Sequence, residues 1–270
     1  MHIHYNSNTN GKDYIIGDLH GMYDELMHAL TLLKFNKSTD RLFSVGDLID
    51  RGPKSFECAN LIYEDWFHMV IGNHEQMMMH TILDQHLSYY HMWMNNGGLW
   101  HISENDQLLE DISQHFKKLP LIISVGTEID RFNIVHGELL LNQQSSLVTD
   151  KDIDEWTFNP NDVEDMTWGR TLINLRSNLS YNLQDAKQPC TYKQDTKLSP
   201  TYCGHSTVKA PCKIEQQIYL DTGFSYSSKT KYPENYPLSI ACPQENNIYQ
   251  YTNIWKKLTH TNISNIQTYK

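Results

Sequence analysis

The sequence predicts an α/β fold on three observations. Three short apolar runs each end in Gly-Asp or Gly-Asn, each is followed by a stretch with helical spacing, and later strand-like runs crowd together as antiparallel strands do. The first run is Tyr14-Ile15-Ile16 before Gly17-Asp18. The second is Leu42-Phe43-Ser44-Val45 before Gly46-Asp47, and the third Phe67-His68-Met69-Val70-Ile71 before Gly72-Asn73. Their length and their β-branched or aromatic content are those of strands. Strand, turn and helix repeated three times imply βαβ units and a largely parallel sheet in this half.

The helical segments follow in order. Residues 22–35 put Leu26, Leu30 and Leu33 on one face, and residues 55–64 and 75–83 are similar. The turn signal Asn95-Asn96-Gly97-Gly98 precedes a helical stretch over residues 104–118. Strands are expected at residues 121–125 and 132–135, the second ending at His136-Gly137, and then at 201–203, 218–220, 238–241 and 247–251. Residues 138–165 and 177–199 are polar and lack periodicity, so they read as long loops over the site. With no internal repeat and no clear boundary, residues 1–270 read as a single domain, with 1–12 and about 257–270 as loose tails.

Composition removes several functions. The chain has 270 residues and a formal charge of −10, from 22 basic and 32 acidic side chains. An acidic chain is a poor electrostatic match for a phosphate backbone, so nucleic acid is not the expected partner. No apolar run approaches the ~20 residues of a membrane span, and the polar first dozen residues lack the apolar core of a signal peptide. Five cysteines without a CxxC pair read as isolated small hydrophobes in a reducing compartment, so the cytoplasm is expected, with a monomer as the default state. Fourteen histidines are the anomaly, and only position separates ligands from surface residues.

Position does separate them. In open α/β sheets, ligand sites collect beyond the carboxyl ends of the strands, and the Gly-Asp and Gly-Asn pairs sit there. Asp18, His20, Asp47, Asn73, His136 and His205 mix imidazole, carboxylate and amide oxygen, a donor set for Mn, Fe, Zn or Ni. Two such ions ~3.5–4 Å apart clamp the attacking and leaving oxygens of a phosphoryl displacement and lower the pKa of a bridging water, so no serine or cysteine nucleophile is needed. Arg51, four residues after Asp47, offers a guanidinium fork for phosphate, and Arg170 in Trp168-Gly169-Arg170 a second. His74, supported by Asp50, is a candidate general acid for the leaving alkoxide. Any one of these residues alone reads as structural. Four polar signatures in fixed order after apolar strands do not.

Gly17-Asp18-Leu19-His20-Gly21, Gly46-Asp47-Leu48-Ile49-Asp50-Arg51-Gly52 and Gly72-Asn73-His74-Glu75 resemble the three signatures of the phosphoprotein phosphatase superfamily. Val135-His136-Gly137, Gly204-His205-Ser206 and Asp221-Thr222-Gly223 resemble its later motifs. Gly72-Asn73-His74-Glu75-Gln76-Met77-Met78 and Asn96-Gly97-Gly98 look like the bacteriophage lambda-type and bacterial branch in particular. The resemblance implies a calcineurin-like metallophosphoesterase fold, a central β-sandwich of two mixed sheets flanked by helices. It also implies two divalent metals, commonly manganese. By matched motif, Asp18, His20 and Asp47 would hold one ion, and Asp47, Asn73, His136 and His205 the other. Arg51, Arg170, Asn73 and His74 would contact phosphate, with Asp50 behind His74.

The implied activity is hydrolysis of phosphoserine and phosphothreonine, with phosphotyrosine a further substrate, in a phosphoprotein or phosphopeptide. Diadenosine polyphosphate hydrolases share these motifs and are the alternative. Asp-Arg-Gly at Asp50-Arg51-Gly52 favours the protein phosphatases, because the nucleotide hydrolases tend to lose that Asp. A non-enzymatic scaffold is disfavoured, since every expected ligand type is present. Gly137 stands where many members have Ala, and the interval from His136 to His205 is long for the small phage-like enzymes.

Overall fold

The computed structural model describes residues 1–141, 146–175 and 197–269. In chain order the strands are β1 (His2–Tyr5), β2 (Asp13–Ile16), β3 (Arg41–Ser44), β4 (Phe67–Met69), β5 (Ile122–Val125), β6 (Phe132–Val135), β7 (Leu140–Leu141), β8 (Ser146–Leu147) and β9 (Thr201–Cys203). They continue with β10 (Cys212–Ile214), β11 (Gln217–Tyr219), β12 (Leu238–Cys242), β13 (Asn247–Thr252), β14 (Lys257–Asn262) and β15 (Gln267–Tyr269). Two mixed sheets dominate. One has the order β1-β5-β6-β9-β11-β10-β15 and the other β14-β13-β12-β2-β3-β4, while β7 and β8 form a separate ribbon. The three signature strands β2, β3 and β4 pair in parallel, as the repeated strand-turn-helix pattern requires.

Strand alternation sorts side chains into three layers. Ile15, Phe43, Ile123, Ile134, Tyr202, Ile218 and Ala241 come from both sheets and fill one core between them. Their neighbours on the same strands, such as Tyr14, Ile16, Leu42 and Ile240, point the other way. There they meet α1 (Tyr23–Leu33), α2 (Ser55–Ala59), α3 (Asn73–Ile82), α4 (Leu87–Asn95) and α5 (Asp106–Phe116). Ile122, Val135, Cys203 and Tyr219 face α6 (Asp150–Glu155), α7 (Pro160–Trp168) and α8 (Thr171–Leu175) on the far side. A two-sheet sandwich flanked by helices results.

Several local expectations need correction. Residues 138–165, expected as loop, contain the β7–β8 ribbon, α6 and most of α7. Both helices carry polar start signals, with Thr149 and Asn159 as N-caps and Asp152 and Asp162 closing capping boxes. Their shortness hides the period that a longer helix shows. The expected loop 177–199 lies outside the described residues except for 197–199. Residues 1–12 and 257–270 are not loose where described. β1 pairs in parallel with β5, β14 pairs along all six of its residues with β13, and β15 joins β10. Antiparallel pairing among the later strands holds for β10–β11 and β12–β13, whereas β9 runs parallel to β6 and β11.

Candidate active site

Every singled-out residue except Arg170, which follows α7, lies beyond the carboxyl end of a strand. Asp18 and His20 follow β2, Asp47, Asp50 and Arg51 follow β3, Asn73 and His74 follow β4, His136 follows β6, and His205 follows β9. The turns are sharp enough to put five of these in the left-handed region: His20 (φ 48°), Asp47 (φ 53°), Asp50 (φ 75°), Arg51 (φ 68°) and His205 (φ 61°). Such backbone is uncommon for residues with a Cβ and persists only where surrounding contacts over-determine it. Those contacts are visible. The buried Glu75 carboxylate accepts the backbone N–H of Asp47 at 2.9 Å, of Leu48 at 2.8 Å and of Gly72 at 3.0 Å, tying the second signature to the third. Burial and the Asp47 charge push the Glu75 carboxyl up to about 7 even so. Gly204 is forced by proximity, because a Cβ there would lie 2.1 Å from Asp18 Oδ1.

The second half of the ligand set converges tightly. Asn73 Oδ1 lies 2.9 Å from His136 Nε2 and 2.9 Å from His205 Nδ1, and Asp47 Oδ1 lies 3.4 Å from His136 Nε2. His136 Nδ1 donates to the Val45 carbonyl at 2.8 Å. Burial pushes the His136 pKa down, so the ring is neutral and its Nε2 is a lone pair facing an amide oxygen. Acceptor facing acceptor in a buried site is an arrangement that a cation resolves. Asp47, His136 and His205 offer ligand atoms that all lie within 4.8 Å of one another. His20 is prepared in the same way, donating Nδ1–H to the Ile49 carbonyl at 2.9 Å and turning Nε2 to the site.

The first half is looser. The compact trio around Asp47 is His20, Asp47 and His74, again within 4.8 Å, while Asp18 Oδ2 lies 4.0 Å from His20 Nε2. Asp18 is held by the backbone N–H of His205 at 3.1 Å. Burial, reinforced by Asp221 and Asp47, pushes its carboxyl well above the usual range. Crowded buried carboxylates of this kind call for positive charge between them. Asp47 goes the other way. Burial alone would raise it, but His136, His74, His20 and His205 outweigh burial and hold it well below the usual range. The donors therefore suit divalent ions at two adjacent positions, with Asp47 between them.

On the open side, Arg51 spans the site. Its Nη1 donates to His20 Nε2 at 2.7 Å and its Nη2 to His74 Nε2 at 3.0 Å. The other ring nitrogen of His74 meets Asp50 Oδ2 at 2.5 Å. Burial lowers the His74 pKa, but the Asp47 and Asp50 carboxylates more than offset it, and the net shift is upward. Arg170, half-buried after α7, reaches Ser206 Oγ at 3.4 Å. It stands close enough to His136 and His205 to help lower both. All ten sequence-derived residues thus gather at one end of the sandwich, where β2, β3 and β4 of one sheet and β6 and β9 of the other finish.

Three supporting groups escaped the sequence reading. Glu75 was legible only as part of its signature. Glu138, fully buried, accepts the Leu172 and Ile173 N–H groups at 2.8 and 2.9 Å and so fixes the start of α8 directly after Arg170. Trp93 and Trp100 donate to Asp50. Their only signal was that they bracket Asn96-Gly97-Gly98.

The chain is similar to known proteins over most of its length. The chain is 30% identical over 221 residues to serine/threonine-protein phosphatase 2 of Salmonella typhimurium, covering 81% of this chain and 90% of that protein. It is 40% identical over 76 residues to a symmetrical bis(5'-nucleosyl)-tetraphosphatase of Vibrio cholerae, covering 27% of this chain and 28% of that one. A serine/threonine phosphatase structure from Saccharomyces cerevisiae superposes with a TM-score of 0.56 at 17% identity, covering 97% of this chain and 82% of that one. Divalent metals serve hydrolysis in this superfamily, and the donor set above suits them. Because the calcineurin-like phosphoesterase pattern itself matches residues 14–205, across both halves of the ligand set, this hydrolase belongs to the calcineurin-like phosphoesterase family.

Proposed function

We propose that the protein is a phosphomonoesterase that removes phosphate from serine and threonine side chains of proteins, with phosphotyrosine a further substrate. The observation that carries this reading is the intact Asp50–His74 pair beside Arg51, a proton donor and a guanidinium fork placed for a monoester with a poor leaving group. The extent of the phosphatase likeness, 90% of the Salmonella protein against 28% of the Vibrio nucleotide hydrolase, supports the same choice.

Asp18, His20 and Asp47 would hold one divalent ion, and Asp47, Asn73, His136 and His205 a second, with manganese the first choice for both. When bound, the ions supply charge neutralisation at phosphate and an activated water at neutral pH. The chain's own residues do the rest. Arg51 and Arg170 grip the phosphate oxygens, with Asn73 and His74 beside them. Asp50 accepts Nδ1–H of His74, and once phosphate draws the Arg51 fork onto its own oxygens, the freed Nε2 takes up a proton from solvent and can give it to the departing oxygen. Four cysteines among the described residues are free and buried, which supports a reducing cytoplasm. No helix among those residues is long and apolar enough to cross a membrane. We expect the enzyme to act as a monomer.

The test is a side-by-side assay of metal-stripped protein with added Mn²⁺ on a phosphoserine peptide and on diadenosine tetraphosphate. Faster phosphate release from the peptide is expected. Preference for the dinucleotide would move the function to nucleotide turnover. Asp47→Asn should abolish activity with the fold intact, and full retention would sink the mechanism.

A further inference from the structure

Asp50 is completely buried, and its carboxylate is surrounded by donors. Trp93 Nε1 donates to Oδ1 at 2.9 Å and lies 3.0 Å from Oδ2, and Trp100 Nε1 donates to Oδ1 at 2.7 Å. The remaining lone pairs face His74 Nδ1. Two indole N–H groups on one buried carboxylate are more than core packing requires, since tryptophan satisfies itself with any single acceptor. The segment that brings them is shaped for this. Gly97 takes φ 109° and a Cβ there would lie 2.7 Å from the Arg51 backbone nitrogen, and a Cβ on Gly98 would meet the Trp93 ring at 2.7 Å. The 3₁₀ turn Gly98–Ser103 then swings Trp100 to the same oxygen, with the two indole rings edge to face at 6.2 Å. His101, stacked on Trp93 at 4.8 Å, donates to the Gly98 carbonyl and braces the turn.

We infer that Trp93 and Trp100 are positioning residues for proton delivery to the leaving group: through Asp50 they fix the orientation of His74. The inference rests on the reading of His74 as proton donor but not on the identity of the natural substrate. In the step concerned, the bond from phosphorus to the leaving oxygen breaks and its electron pair stays on that oxygen. The oxygen then takes the proton that His74, doubly protonated once Arg51 has turned to phosphate, carries on Nε2, while Nδ1–H stays bonded to Asp50; water supplies the new phosphate oxygen and releases one proton to solvent, from which His74 regains its own. Without the indole donors the carboxylate is free to rotate, and the imidazole with it. The penalty falls on esters whose leaving oxygen needs that proton.

The experiment uses the Mn²⁺-loaded full chain and two aryl phosphates, phenyl phosphate with a poor leaving group and 2,4-dinitrophenyl phosphate with a good one. Trp100→Phe, at the half-buried position, should lower kcat for phenyl phosphate about tenfold, a fraction of what a general acid supplies. It should leave KM for both esters and kcat for the dinitrophenyl ester within about twofold, because no proton is needed there. Replacing Trp93 by its benzothiophene analogue keeps ring shape and deletes only the N–H, so it reports on the buried position without a cavity. In a double-mutant cycle, Trp100→Phe should add nothing to His74→Asn. Equal losses on both esters, or an additive loss in the double variant, would overturn the inference. Failure of the protein phosphatase reading would show separately, as a wild-type enzyme that splits aryl phosphates and ignores the phosphoserine peptide.

Discussion

Glu75 accepts the backbone N–H of Asp47 at 2.9 Å, so the carboxylate at the centre of the proposed ligand set is held in its left-handed turn by a second carboxylate turned away from the site. Glu75→Gln keeps the volume but turns an amide NH₂ toward backbone donors. The cost of leaving one such donor unmet is roughly 1–3 kcal/mol. Urea unfolding should show that loss, and Mn²⁺ should be needed at higher concentration for activity. An unchanged midpoint would mean that the turn is held by other contacts.

Arg51→Ala should raise KM and lower kcat together, because phosphate is held by the same fork in ground and transition states. Arg51→Lys should recover only part of this, since an ammonium group cannot contact two oxygens in a plane. Steady-state kinetics on p-nitrophenyl phosphate decide the matter, and wild-type constants for the alanine variant would remove Arg51 from the site.

Gly97→Ala tests how tightly the turn after α4 seats on Arg51. The φ of 109° is strained for any L-residue, and the new Cβ would press on backbone rather than on a side chain that could move aside. We expect a loss of about 1–3 kcal/mol in stability with a fall in activity. A thermal unfolding scan that matches wild type would refute the close seating.

His68 sets a pH dependence of stability remote from the site. It packs against Tyr5 and Phe43, with ring centroids at 4.7 and 5.2 Å. Burial and the Arg41 charge lower its pKa to about 4, against the pull of Asp13 and Asp65. Unfolded, it titrates near ~6.5. The folded pKa is the lower one, so as pH falls the unfolded chain binds the proton first. Its contribution is complete above about 6.5 and is lost between about 6.5 and 4. His68→Leu should therefore lose less stability than wild type between pH 7 and pH 4.5. Parallel curves from urea titrations at both pH values would contradict this.

The metal-ligand candidates were legible because each follows a strand with a turn glycine in a fixed order, information contained within a few residues. The supports were not. Asp50 and His74 are close in sequence motifs, but Trp93 and Trp100 reach Asp50 from 43 and 50 residues away, and no local pattern encodes that distance. Helices α6 and α7 were hidden because six and nine residues are too few to establish a period, although their capping residues were present in plain view. The edge strands β1, β14 and β15 were misread as tails because their polar faces meet solvent on one side, which removes the hydrophobic alternation that marks a buried strand.

The order in which the strands are joined has a consequence for biosynthesis. β2, which leads into Asp18 and His20, lies between β3 and β12, and Asp18 itself is held by the backbone of His205, 187 residues further on. A chain emerging from the ribosome therefore displays its first three signatures long before the strand and the histidine that complete them. Until β9 and β12 are released the nascent chain has no finished cleft. A half-made copy is thus unable to strip phosphate from its surroundings.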